Sequence, residues 1–360
     1  MWNLPRRLRE QLAADFRIGS LTLVRETRSA DGTRKLLFHL ADEATIESVL
    51  IPDGARLTLC MSTQQGCAMG CAFCATATLG FRRHLTRGEI IEQLLLARAL
   101  LAAPLAEACA NDSEQPAPRI TNLVFMGMGE PLHNYGGTIG AIETLTVPWG
   151  ADFSHRRITV STVGLIAEMQ HLLADTQVNL AVSLTAVDQG LRQRLMPVGR
   201  RYPVAELLAA CRALPLPRRK RITFEYVLLA GVNDTVEQAR ALARALAGIR
   251  CKVNLIPFNP FPGSAYERSD ELVTARFQDT LRRARVHATI RESRGADIAA
   301  ACGQLVTKDG QRRSHAARET ADGKAWQAGA ASDDLDAAAC SLTSGTARAA
   351  ASGPRTRAGP

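Results

Sequence analysis

Three cysteines stand close together in "GCAMGCAFCATATLGFRR": Cys67, Cys71 and Cys74, spaced C-x3-C-x2-C. Structural metal sites usually collect four protein ligands, so a set that stops at three raises the question of what fills the fourth position. Three thiolates on one loop suit a cubane of four irons and four sulfides in which one iron lacks a protein ligand. Such an iron can bind a small molecule through amino and carboxylate groups, which a fully ligated electron-transfer cluster cannot do. A zinc site of the three cysteines plus a distant histidine such as His84 fits the same spacing. A second pattern, "FMGMGEP", ends the next strand. There Gly127 and Gly129 let backbone approach a ligand closely, and Glu130 is placed to accept from an amine.

These loops need a scaffold, and the chain predicts one. From about residue 56, short apolar β-branched runs ("RLTLCMS", "ITNLVFMG", "RRITVST", "VNLAVSL", "RITFEYVLL", "KVNLIPF", "VHATIRES") alternate with longer segments. Among those, "TRGEIIEQLLLARALL", "PVAELLAACRAL" and "TVEQARALARALAG" have helical spacing. Repeated strand–helix units mean a parallel sheet with helices outside, open or rolled into a barrel. The cysteines follow "RLTLCMSTQQG", so they lie after the first core strand, at the functional end of a βα sheet. Residues 1–55 read as a small leading α+β module, with a helix in "LPRRLREQLAADF" and strands around an "ADG" turn. Residues 56–305 form the main domain. Residues 306–360 shift to Ala, Ser, Gly, Thr and Arg with few large apolar side chains, and a disordered tail is expected. "EACANDSEQPAPRI" reads as a polar loop within the main domain.

The net charge of +9 and pI near 9.4 point towards a polyanionic partner such as nucleic acid. Residues 306–360 hold eight Lys/Arg against six Asp/Glu, which leaves +7 on the part expected to fold. Nine cysteines, an odd number unevenly clustered in a long chain, do not suit a disulfide framework. "MWNLPRRLREQL" has no apolar signal region. The most apolar helix is interrupted by Glu92, Arg98, Pro104 and Glu107, so a buried helix is expected and no membrane partner. A cytoplasmic location, where thiols stay reduced, follows as the expectation; the oligomeric state does not follow from the sequence.

Taken together, "CMSTQQGCAMGCAFCATATLGFRR", "FMGMGEPLHNY", "RRITVSTVG", "ITFEYVLLAGVND", "KVNLIPFNPFPGSAY" and "RGADIAAACGQL" give the chain its resemblance to a known family. Over roughly residues 1–305 it resembles radical S-adenosylmethionine (SAM) enzymes. More narrowly, it resembles the dual-specificity adenine carbon-2 RNA methyltransferases and their carbon-8 relatives that confer antibiotic resistance. The resemblance implies an α/β fold, a partial (β/α)6 radical SAM barrel, with a 4Fe–4S cluster, two SAM per turnover and an external electron donor. The implied substrate is an adenine of large-subunit ribosomal RNA, with tRNA as a further candidate. Relatives carry a longer N-terminal RNA-binding extension, of which "MWNLPRRL" would retain little.

The resemblance also assigns residues. Cys67, Cys71 and Cys74 would hold the cluster. SAM contacts would fall at Gly129, Glu130, Ser161, Ser183, Leu184, Thr185 and Asn259; at the place of Thr185 the family commonly has His. Cys302 matches the cysteine that is methylated and then joined to RNA. It needs a thiolate, hence a polar, cation-lined pocket. Cys60 matches its partner in thiol–disulfide exchange, and Glu47, thirteen residues earlier, the base that removes the adenine proton. Cys109, Cys211, Cys251 and Cys340 match nothing in the family pattern. "GFRRHLTRGE", "MPVGRRYP" and "LPRRKRITF" offer cations for RNA phosphates. The reading from another class is a non-catalytic RNA-binding relative with a structural metal. Such a protein would have no use for Cys60 and Cys302 beside the cluster cysteines.

Overall fold

The structure, a computed structural model, describes residues 4–15, 19–108 and 118–306. The expected tail beyond Val306, the loop centred on residues 109–117, Cys109 and Cys340 lie outside the described residues.

Three antiparallel strands open the sheet: β1 (Thr22–Arg28), β2 (Arg34–His39) and β3 (Thr45–Asp53). β3 pairs antiparallel with β4 (Arg56–Cys60), and from there every neighbour is parallel. Strands β7 (Asn122–Phe125), β8 (Ile158–Thr162), β9 (Asn179–Ser183), β10 (Ile222–Leu228), β11 (Cys251–Pro257) and β12 (Ala288–Ile290) follow in chain order. The leading strands thus continue the same sheet, with β1 and β12 as its two edges among the described residues. A short separate hairpin, β5 (Gln64–Gly66) with β6 (Phe81–His84), brackets the cysteine loop.

Parallel strands in chain order are wound in one direction. Their crossovers therefore lie on one face, and the other face curls around a lumen. The crossovers are α2 (Arg87–Ala108), α3 (Tyr135–Thr146), α4 (Ile166–Asp175), α5 (Gln189–Leu195), α6 (Val204–Ala213), α7 (Val236–Ala245) and α8 (Glu271–Arg283), after a leading α1 (Arg6–Asp15). α2 packs on α3 and α7 on α8. Local chemistry starts several of them. Thr235 and Gln238 form a reciprocal capping box on α7, and Asp270 accepts from Leu272 N at 2.7 Å to begin α8. No described helix is long and apolar enough to cross a membrane.

Strand interiors are covered on both faces, as parallel strands require: Ile222 through Tyr226 of β10 are all buried in succession. Into the lumen the sheet turns polar residues, among them Thr58, Thr159, Thr223, Asn254 and Glu225.

The cysteine loop is closed by backbone. Cys67 N donates to the Gly80 carbonyl at 2.9 Å, and Gly66 sits at φ +73° with that oxygen only 1.7 Å from where a Cβ would stand. Gly66→Ala is expected to force the two ends of the loop apart and lower the melting temperature of the metal-free protein by about 5–10 °C. Thermal unfolding followed by circular dichroism measures this, and an unchanged midpoint would show that the bracket does not hold the loop.

Candidate active site

The strand ends and the cysteine loop surround a cavity of about 150 Å³. Cys67, Cys71 and Cys74 all line it, with Gly129 and Glu130 after β7, Ser161 on β8, Ser183 on β9, Asn259 after β11, and Cys302. Residues far apart in sequence therefore converge as the motifs suggested. Leu184 and Thr185 are fully buried and do not line it. Thr185 stands at φ +55°, an unusual place for a β-branched residue, and its carbonyl accepts from Asn233 Nδ2 at 2.8 Å.

The three thiols are free, and their surroundings test what they can hold. Burial pushes Cys67 up to about 12, Cys71 well above its ordinary value and Cys74 upward. Cys71 is raised further by both neighbours, Cys74 first and then Cys67. Three desolvated sulfurs that repel one another as anions suit a polynuclear iron core, which binds them as thiolates and supplies the missing positive charge. The donor set fits a 4Fe–4S cluster. His84 is engaged elsewhere: its ring packs on Phe81 and His133 at 5.0 and 4.9 Å, its Nδ1 is 3.1 Å from Gln64 Nε2, and it does not line the cavity.

Glu130 is the buried carboxylate of the site. Its Oε2 accepts from Val163 N at 2.9 Å and its Oε1 from Leu132 N at 3.1 Å, while its own N–H donates to Gln64 Oε1 at 2.7 Å. Burial outweighs these bonds and raises its pKa to about 7. Gly129 makes this possible: at φ +99° it lets Gln64 come within 2.4 Å of where a Cβ would be.

Cys302 is carried by a strap that follows β12 and returns to the cysteine loop. Ala75 N donates to Gly303 O at 2.7 Å, Thr76 Oγ1 to Leu305 O at 2.7 Å, and Asn259 Nδ2 to Cys302 O at 3.2 Å. Further on, Val306 N donates to Glu47 Oε2 at 3.0 Å. Glu47 is buried under the strap and outside the cavity wall, its Oε1 3.3 Å from Lys35 Nζ, which also reaches Ala299 O. Burial raises the Glu47 pKa, with Lys35 the strongest counterweight and Arg25 a weaker one. Cys60, at the end of β4, lies behind the wall. Burial takes it to about 12, and Cys302 is the next strongest influence on it.

Arg291 is the cation that the sequence reading required but did not name. It lines the cavity, and its charge acts on Cys302, Glu225 and Cys60 in that order. Cys302 is an exposed residue, yet desolvation of its sulfur by the surrounding protein raises its pKa, and Arg291 is the first influence against that rise. Glu225 accepts from Asn254 Nδ2 at 3.0 Å, which in turn accepts from Thr289 Oγ1 at 2.8 Å. "ATIRES" carries no motif signal for such a role; only the register of β12 beside β11 points to it. A second positioning group, Gln93 of α2, was also silent in sequence. Its Oε1 accepts from Ser62 N and Ser48 Oγ, and its Nε2 donates to Ser62 O. Ser62 Oγ then joins Glu47 O to Met128 N.

Two of the basic segments flank this mouth: "GFRRH" on the bracketing hairpin, and "MPVGRR", whose Met196 lines the cavity. Within the first, Arg83 is consumed by Asp42 and Glu89. "LPRRKR" instead precedes β10, at the end of the parallel strands opposite the cavity.

A fold of this kind, with a three-cysteine loop after the first parallel strand, is that of a radical SAM enzyme, and the profile of the "Radical SAM superfamily" matches residues 61–243. Similarity to characterised proteins narrows this. The chain is 48% identical to a dual-specificity RNA methyltransferase RlmN of Syntrophobacter fumaroxidans over 308 residues, 86% of either chain. It is 49% identical to another from Anaeromyxobacter dehalogenans over 321 residues, 88% of this chain and 84% of that one. Among solved structures, a radical SAM methyltransferase from Sphaerobacter thermophilus superposes with TM-score 0.77 at 45% identity, covering 84% of this chain and 86% of that one. The chain belongs to the dual-specificity RNA methyltransferase family of radical SAM enzymes. The family's cofactors are a 4Fe–4S cluster and SAM.

Glu130 gives a pH test. A carboxyl raised from 4.5 to about 7 holds its proton more tightly folded than unfolded. The stability this supplies is complete below about pH 4.5 and lost as pH rises to about 7. The metal-free protein is expected to lose about 3 kcal/mol more than Glu130→Gln between pH 4.5 and 7. Urea unfolding across that range measures it; parallel curves for the two proteins would refute it.

Proposed function

We propose that this enzyme methylates carbon 2 of an adenine in large-subunit ribosomal RNA, and in tRNA, through a methylated cysteine. The observation that carries this reading is the convergence of the three cluster cysteines and Cys302 on one cavity, with Cys60 behind it in electrostatic reach. When bound, the cluster and SAM supply reductive radical chemistry, driven by an electron from an external donor.

Cys302 receives a methyl group on sulfur from a first SAM, and Arg291 favours the thiolate that this displacement needs. That methyl group would give up one hydrogen atom to the radical chemistry that a second SAM supplies when bound, and its carbon would then bond to the adenine ring and link enzyme to RNA. Glu47 removes the proton from the attacked carbon, and burial, which raises its pKa, makes it a stronger base than a free carboxylate. In the structure its Oε2 is occupied by Val306 N–H, so this step requires the strap to lift from Glu47. Cys60 then attacks the sulfur of Cys302, forming a disulfide and releasing methylated RNA. The contacts to a second SAM fall to Gly129, Glu130, Ser161, Ser183 and Asn259, with Leu184 and Thr185 supporting from behind the wall. A cytoplasmic location suits a chain whose described cysteines are all free.

The reading is tested by expression in a host lacking its own enzyme, followed by mass spectrometry of digested RNA. Carbon-2 methyladenosine is expected and unmodified adenosine would overturn it; methyl on carbon 8 would reassign the position. After anaerobic reconstitution about four irons per chain are expected. Cys302→Ala should keep that iron and lose methylation. Cys60→Ala should accumulate covalent RNA adduct, visible as a shifted band, and its absence would remove Cys60 from the release step.

A further inference from the structure

Arg192 is the largest fully buried side chain among the described residues, with no measurable exposure. Its Nη2 donates to Val163 O at 2.8 Å and Ser183 O at 3.3 Å, but Nε and Nη1 have no hydrogen-bond partner, and no carboxylate pairs with it among the described residues. A desolvated guanidinium left in this state is costly by several kcal/mol. Some anion must therefore complete it.

The surroundings narrow the choice. Arg192 sits on α5, whose Leu195 carbonyl accepts from Ala72 N at 2.9 Å, tying the helix to the residue after Cys71. The groups whose charge reaches it are the thiols of Cys71 and then Cys211. Burial drives Cys211 up to about 12, so that thiol stays neutral. Arg192 does not line the cavity, so a small molecule bound there does not touch it. Of the two thiols, only Cys71 belongs to the cysteine loop that α5 is tied to through Ala72.

We propose that Arg192 is the built-in counter-charge of the thiolate-bound cluster, acting through Cys71 to raise the cluster's reduction potential. This rests on the cysteine loop carrying a 4Fe–4S cluster. Three thiolates leave the ligated cluster net negative, and the electron it accepts from an external reductant makes it more so. A fixed positive charge held in a low-dielectric wall favours the reduced form over the oxidised one. A metal-free chain meanwhile keeps an uncompensated cation, which makes cluster uptake part of completing the fold.

The test compares anaerobically reconstituted wild type, Arg192→Met and Arg192→Lys, each titrated with dithionite at set potentials and read by electron paramagnetic resonance. Arg192→Met removes the charge at similar volume. It is expected to lower the reduced-to-oxidised ratio at fixed potential about tenfold, a shift of about 59 mV to more negative values for one electron. Arg192→Lys keeps the charge and should stay near wild type. Failure of the methionine variant alone to take up iron, with the lysine variant loaded normally, also supports the charge role. An iron-loaded Arg192→Met with unshifted potential overturns it. So does an equal shift in both variants, or loss of folding or iron in both, since packing or hydrogen bonding would then account for the residue. Wild type that binds no iron would instead sink the cluster reading itself.

Discussion

The constraint on which the rest depends is the crowding of three desolvated sulfurs on one short loop. Burial pushes all three thiols away from ionisation, and repulsion from neighbouring sulfurs adds to this at Cys71 and Cys67. They can act as ligands only when a positively charged inorganic core joins them. Around that requirement the fold arranges rigid support. The β5–β6 bracket closes the loop at Gly66 and Gly80, and α5 fastens it through Ala72. The strap that bears Cys302 is bonded to Ala75 and Thr76, directly after the last ligand. The cysteine loop and the strap that bears Cys302 are thus one hydrogen-bonded unit.

The charges nearby follow from the same low dielectric. Arg291 faces Cys302 and Cys60 across the cavity wall, with Glu225 balancing it from β10. Glu130 and Glu47 are both raised by burial but restrained differently, Glu130 by backbone N–H groups and Glu47 chiefly by Lys35. Two carboxyls of one type are thereby held in different surroundings, the first among backbone donors and the second beside a cation. Glu47 is also a latch on the strap through Val306, whose N–H it accepts.

A wound parallel sheet suits this chemistry because it delivers strand ends to a single rim. Ser161 on β8, Ser183 on β9 and Asn259 just after β11 reach one cavity from the same ends of their strands. The polar knot of Ser62 and Gln93 fixes where β3, β4 and β7 meet, and so sets Glu47, Cys60 and Glu130 relative to one another.

The sequence by itself determined the strands and the ligand loop. All seven parallel strands are short β-branched runs, and C-x3-C-x2-C is a local spacing that needs no tertiary knowledge. It did not yield α3, α4, α5 and α8. α3 opens "YGGTIG", whose glycines weaken helix propensity, and packing on α2 decides it instead. The leading strands read as a separate module, yet their backbone groups continue the ladder into β4, since an unpaired edge there would leave N–H and C=O groups without partners. Arg291, Gln93 and Arg192 carry no motif, because an arginine or glutamine is marked only by what surrounds it. "LPRRKR" resembles the other basic runs in sequence, but the direction of β10 places it at the N-terminal end of the strands, away from the cavity. Spacing along the chain fixes which atoms can ligate together; desolvation and counter-charge exist only once distant segments exclude water from a shared site.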